Sequence, residues 1–425
     1  MIIIFKSFIK SGIKFLHYKW LRLTHNKPIL MTRASEILAE TKTLSSSEGA
    51  IFFGYHDKTP FNQNGNKILA HFTTENEHSI ESECKLIDIG FFQKGNDGHF
   101  INRFIKVSTT TTWSWQQGSM LQWDPLNPQD QIIFNDIIEG KYGAKVFNIN
   151  TDEVIKTYNR PIYALSKNGK HAVSMNFSRL SRIRPGYGYR LLSDLKSNDP
   201  SPKDDGLFLI DMKTGQSRLI VSLDELANKL PKNLSAEHYL NHSNFSPDSK
   251  FISFFHIWNE MGSSKRKIRF YIYNILSNSL QLLEDDRLVS HYDWKGNNTL
   301  LVTNRDEQLK WYYSLYNVND LSRTDLQIPL GVDGHPMVNP NNENIFVTDS
   351  SPDKRLDQHL ILMDTRTESS VEVNAFYSPS RFKGPVRCDL HPRWDRTGKY
   401  ICIDSAYNGK REMVLVKLSS LRIHN

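Results

Sequence analysis

Seven times along the chain an aromatic or aliphatic anchor is followed by a polar turn and then a short run rich in strand-forming residues. The units are FNQNGNKILAHF from Phe61, WDPLNPQDQIIF from Trp123, LSKNGKHAVSM from Leu165 and FSPDSKFISFF from Phe245. They continue as WKGNNTLLVT from Trp294, VNPNNENIFVT from Val338 and WDRTGKYICID from Trp394. Each places Asn, Asp, Gly or Pro where a hairpin must reverse, ahead of apolar residues that suit a half-buried strand. A second register follows in the same order: LIDIG, VFNINTDE, FLIDMKTGQ, YIYNILSNS, SLYNVND, LILMDTRTE and MVLVKLSS. Each of these reads as a strand closed by a polar turn.

From Phe61 to Trp394 the anchors are spaced by about 55 residues on average, the long end of propeller repeats. One four-stranded unit cannot bury both of its faces, whereas a closed ring of them can. The repeat therefore predicts an all-β, seven-bladed β-propeller over residues 38–425, preceded by a basic amphipathic N-terminal extension, 1–35. A strand from about residues 38–53 is predicted to complete the short seventh blade and close the ring. The long third interval implies a loop insertion near 177–205.

The net charge of +7 belongs to the extension. Lys6, Lys10, Lys14, Lys19, Arg22, Lys27 and Arg33 stand there with no acidic residue, and the remaining basic and acidic residues balance at 46 each. The basic balance thus describes a tail and gives no sign of a nucleic-acid groove. Read as a helix, the extension puts Phe5, Ile9, Ile13, Leu16, Trp20 and Leu23 on one face beside lysines. That pattern suits a helix lying along an anionic membrane surface through residues 1–33, or one packed on the propeller or a partner. The longest apolar run there, Ile2 to Phe5, is too short for an export signal or a membrane span. Three cysteines, Cys84, Cys388 and Cys402, argue against a disulfide framework and fit a reducing compartment. The expectation is a cytoplasmic protein touching the inner face of a membrane.

In a propeller the first strand of each blade lines the central channel. Three residues before the anchor, blades four to seven each carry a histidine: His242, His291, His335 and His391. Equivalent positions on neighbouring inner strands lie at similar depth, so these imidazoles should converge. His56 and Asp57, Gln116 and Gln117, and Arg160 occupy nearby positions in blades one, two and three. Asp389 lies two residues before His391, on the same face if that segment is extended. Imidazoles with a carboxylate suit a divalent Mn, Fe, Ni or Zn better than Ca or Mg. The plainer alternative is a polar position beside channel water. His71, His171 and His256 lie on second strands and are predicted to be packed between blades.

The turns resemble those of TolB-type and tricorn-type propellers, whose hairpins carry an SPDGK-like sequence matched here by FSPDSK. The histidine arrangement resembles that of the oligogalacturonate lyases, propellers that cleave uronic-acid oligosaccharides by β-elimination. This resemblance implies a channel metal, usually manganese, and a separate histidine base. It places His242 of NHSNFSP as the base, His291 of HYDWKGN as a metal ligand, and His391 of DLHPRW as another. Asp389 stands where that family has a further histidine, Val386 stands near its glutamine, and His335 is an additional candidate ligand. It further implies an acidic oligosaccharide or polysaccharide as substrate, with Arg160 or Arg387 binding a carboxylate during the reaction.

The insertion carries NFSRLSRIRPGYGYRLLSD, in which Arg179, Arg182, Arg184 and Arg190 surround Tyr187 and Tyr189. Arginine can clamp acidic groups and tyrosine can stack on sugar faces, so Arg184, Tyr187 and Tyr189 are candidate substrate-binding residues. An ordered structural loop packed by its tyrosines is the alternative. The RPGYGY sequence resembles propellers encoded among bacterial surface-polysaccharide genes, some of them described as glycosyltransferases. A non-catalytic glycan- or protein-binding scaffold, or a glycosyltransferase-like protein, are therefore the readings set against a lyase. No P-loop, Rossmann glycine pattern or serine-hydrolase elbow is present.

Overall fold

The computed structural model describes residues 39–231, 236–260, 266–328 and 333–419. They form seven four-stranded antiparallel sheets arranged as the blades of a propeller. The innermost strands of blades one to seven are Ala50–Phe52, Gln122–Trp123, Ala164–Leu165, Ala236–Phe245, Leu288–Lys295, Met337–Asn339 and Arg393–Trp394. All seven anchors are buried, and two of the three anchor tryptophans satisfy their indole N–H groups on the preceding blade. Trp123 donates to the Pro60 carbonyl and Trp394 to the Met337 carbonyl. A large apolar body with one hydrogen-bonded edge lets these side chains seal and fix the joint between two sheets.

The ring closes with Ala39–Leu44, which pairs antiparallel with Glu412–Leu418 as the outermost strand of blade seven. It is shorter than the predicted 38–53, because Ala50–Phe52 turns inward and pairs with Lys67–Thr73 as the first strand of blade one. Joining the first and last described strands in one sheet removes the open edge that a linear array would leave. The amphipathic helix predicted over residues 1–35 lies outside the described residues. Among those described, no helix is long and apolar enough to cross a membrane.

The insertion interrupts blade three between His171–Ser174 and Gly206–Asp211 and includes a helix, Phe177–Ile183. Asn176 caps the helix by accepting from the Arg179 N–H. The RPGYGY turn that follows is shaped by two glycines with positive φ. A Cβ on Gly186 would stand 2.6 Å from the Pro385 carbonyl oxygen, and one on Gly188 would stand 2.3 Å from that of Phe177. Only glycine lets this turn fit between the helix and the loop leading into blade seven. The result is a wall across one side of the channel mouth.

Of the second-strand histidines, His71 and His256 are fully buried and His171 is half-buried. Another buried ionisable group, Glu83, supports blade two's inner segment by accepting from the Trp115 N–H at 2.8 Å. Burial pushes its carboxyl up to about 8, against an ordinary glutamate value of about 4.3 in the unfolded chain. Folding therefore takes up a proton between roughly pH 4.5 and 8, and stability should fall as pH rises through that window. Glu83→Gln keeps the acceptor and removes the buried charge. It should raise stability by about 2–4 kcal/mol at pH 8 and far less at pH 5, measured by urea unfolding. An equal gain at both values would show that desolvation of the charge is not the cause.

Candidate functional site

The histidines of blades four to seven come together near the ring axis. Ring centroids are 5.9 Å apart for His242 and His291, 3.9 Å for His291 and His335, and 4.4 Å for His335 and His391. His56 joins them, 5.3 Å from His335. At the hub is Tyr55, stacked on His242 at 5.0 Å and edge-on to His391 at 4.8 Å.

Backbone fasteners set this arrangement. A polar side chain late in one blade's second strand accepts N–H groups from the next blade's inner segment. Asn135 takes the Ile162 N–H, Asp349 takes that of His391, and Asp404 takes those of Phe53 and Gly54. Asp349 also accepts both the backbone N–H and Nδ1 of His335, each at 2.8 Å. The φ angles of His242 and His391 are +51° and +45°, a region that non-glycine residues enter at a cost and that often marks functional positions.

Hydrogen bonding aims the ring nitrogens. His391 Nδ1 donates to the Gly54 carbonyl at 2.8 Å, and His291 Nδ1 contacts the Gly334 carbonyl and Asp333, each at 3.2 Å. A carbonyl only accepts, so Nδ1 of His391 and of His291 carries the proton, and Nε2 of the neutral ring keeps its lone pair. Nε2 of His335 and of His391 is buried without a hydrogen-bond partner. Ligand atoms of His335, Asp389 and His391 lie within 4.8 Å of one another. Orphaned imidazole nitrogens beside a carboxylate, each ring steadied from behind through Nδ1, are what a divalent metal needs. The donor set fits such an ion, and His291 lies next to it.

Electrostatics separates the histidines into two kinds. Burial, reinforced by repulsion from neighbouring imidazoles, holds His56, His242 and His391 well below the ordinary histidine value. Burial also opposes charge on His335, but the carboxylate of Asp349, with Asp389 and Asp333, outweighs it and holds the ring up at about 9. Asp389 stays below the ordinary carboxylate range, since Arg387 and His335 outweigh its burial. An ion taken up at His335 Nε2 therefore displaces a proton.

Above this cluster is a cavity of about 460 Å³. Arg184, Tyr187, Arg387 and Asp389 line it, together with His242, His291 and His335. Arg387 bonds Asp389 through Nε at 2.6 Å and donates to the Tyr187 hydroxyl at 2.6 Å. Burial disfavours a Tyr187 phenolate, yet Arg387 and Arg184 more than offset this and lower its pKa. Arg184 lies over the Tyr187 ring at 5.0 Å.

Two sequence candidates stand elsewhere. Arg160, assigned to the reaction from its register, bonds Ser217 at 2.9 Å and lies over the Phe208 ring at 3.5 Å. It does not line the cavity, because its place beside the inner strand of blade three directs the side chain onto the outer strands. Tyr189 is packed in the core, stacked on Phe177 at 4.4 Å with its hydroxyl bonded to Asn135. The turn of RPGYGY sends Tyr187 into the cavity and Tyr189 away from it. Arg179, Arg182 and Arg190 are paired with acidic groups. Val386 packs among Phe52, Trp113 and Trp115 and offers no ligand atom.

Tyr55, Asp333, Asp349 and Arg266 were not singled out from sequence. For Asp349 a signal existed: TDS at 348–350 and IDS at 403–405 occupy matching positions in two blades. Tyr55 and Arg266, which lines the cavity from the start of the third strand of blade four, had none, since both lie outside the repeating turns.

No family profile and no curated protein matches the sequence. Solved structures do. An oligogalacturonate lyase in complex with manganese superimposes with a TM-score of 0.63 at 13% identity, over 91% of this chain and 95% of that one. A second, from Vibrio parahaemolyticus, gives 0.61 at 11% identity over 91% and 98%. The chain is thus a propeller whose architecture is similar, over nearly its whole length, to that of oligogalacturonate lyases.

Proposed function

We propose that the protein is a metal-dependent, carbohydrate-active enzyme that eliminates across the glycosidic bond of uronic-acid-containing glycans. The observation that carries this reading is the buried, orphaned Nε2 pair of His335 and His391 beside Asp389, with His335 and Asp389 lining a cavity that Arg184 and Arg387 also line. The manganese of the structural neighbour supports the same class of ion. His335, His391 and Asp389, with His291 adjacent, would hold a divalent metal such as manganese. When bound, such an ion acts as a Lewis acid on a substrate carboxylate and favours loss of the α-proton.

This chain's own residues supply the rest. His242 stays neutral at physiological pH and is the general base. Its Nε2 takes the proton in exchange for a long 3.2 Å contact from the Asn241 amide. That amide is oriented by Tyr163 and Gln117, which bond its oxygen. Arg184 and Arg387 bind carboxylates of the substrate. Tyr187, made more acidic by Arg387, donates a proton to the departing oxygen. Placement at bacterial surface-polysaccharide metabolism, on the cytoplasmic face of a membrane, extends the same proposal through the RPGYGY resemblance and the basic extension.

The test is a panel of acidic oligosaccharides incubated with protein and manganese. Absorbance of an unsaturated uronate should grow with manganese and stop with a chelator. No absorbance with any uronate, alongside specific binding of the same glycans, would favour the scaffold reading. Nucleotide-sugar binding in titration calorimetry would favour a transferase.

A further inference from the structure

We propose that the opposite mouth of the channel holds a second binding site, for a small hydroxylated carboxylate the size of one sugar ring. All inner strands run in the same sense, so the anchors and their turns gather at the end of the ring away from the candidate metal site. A cavity of about 290 Å³ opens there, near the lower bound of small-molecule pockets. Its wall carries three cations, Lys58, Lys167 and Arg396, against a single carboxylate, Asp57. Lys58 already engages Asp57 at 2.8 Å. Among the described residues neither Lys167 nor Arg396 forms a direct ion pair, and the carboxylates of Asp293 and Asp57 act on Lys167 only from a distance.

Two residues lining this cavity each keep a buried polar atom without a hydrogen-bond partner: Arg396 Nε, a donor, and Asp57 Oδ1, an acceptor, Asp57 also bordering the narrow space between the mouths. Buried groups of this kind normally find a partner. A ligand that satisfies both must bring an anionic oxygen to the guanidinium and a hydroxyl to the carboxylate. A sugar acid brings both on one ring, and Trp123 with Pro125 provides an apolar wall for its C–H face. Lys167 is exposed at the rim beside Arg396, where its ammonium is open to an incoming anion.

This site is separate from the first. The space between the mouths is about 10 Å³, bounded by Tyr55, His56, His242 and Asn244. That is room for one water at most, so no sugar passes through. Binding at this mouth does not depend on elimination chemistry at the other.

Titration calorimetry of the full chain with glucuronate, glucose and inorganic phosphate tests it. Glucuronate should bind and glucose should not, with phosphate weaker. Lys167→Gln and Arg396→Gln should each lower glucuronate affinity at least tenfold while leaving manganese uptake intact. His391→Ala, at the other mouth, should leave a glucuronate site of unchanged affinity. Unchanged affinity in both cation variants, loss of all binding in His391→Ala, or phosphate binding as tightly as glucuronate would each overturn the assignment.

Discussion

Manganese affinity should fall by about a thousandfold or more when His335 and His391 are both replaced by alanine. These rings supply the two buried Nε2 atoms that have no protein partner, and Asp389 alone leaves one carboxylate already bonded to Arg387. Metal content after gel filtration, read by mass spectrometry, gives the result directly. Thermal melting of the double variant separates metal loss from unfolding. Asp349→Asn should act more mildly, by about 10–100-fold. It leaves every ligand in place but weakens the bonds that orient His335 through Nδ1 and His391 through its backbone. Stoichiometric manganese retained by the folded double variant would remove the metal site from these residues.

His242→Ala should reduce the rate of elimination by roughly 10²–10⁴ while manganese content stays at the wild-type level. The pH profile provides a second readout. A histidine of ordinary value would be half protonated near pH 6.5, and activity depending on it would halve there. Burial and the charges of His291, Arg184 and Arg266 hold His242 well below that value. Protonation of the base should therefore not limit the rate between pH 8 and 6, and the acid limb should begin lower. A wild-type profile with an acid limb centred near 6.5, or a His242→Ala variant of undiminished rate, would take the base role away from this residue.

What was legible in the sequence follows from the period of the repeat. Seven turn-and-anchor units fix the number of sheets, because each must bury its faces against the next. The shared offset of four histidines from their anchors fixed their depth in the channel. Asp389 was legible only as a neighbour of His391. Arg160 shares the register yet turns onto Ser217 and Phe208, since sequence position identifies a strand and not the direction of a long side chain. Tyr187 and Tyr189, two residues apart, are equivalent by sequence pattern, but the glycines between and before them turn one into the cavity and the other into the core.

The chain's own pattern determined the ring, its blade number and the level at which imidazoles would gather, since local turn chemistry and alternation repeat with the backbone. Tertiary structure alone decided which nitrogen of each imidazole is free, which arginines are already spent on buried carboxylates, and that Tyr55 occupies the hub. Those outcomes depend on contacts between blades hundreds of residues apart, such as His391 Nδ1 with the Gly54 carbonyl. No local rule reports an interaction whose two halves meet only when the circle closes.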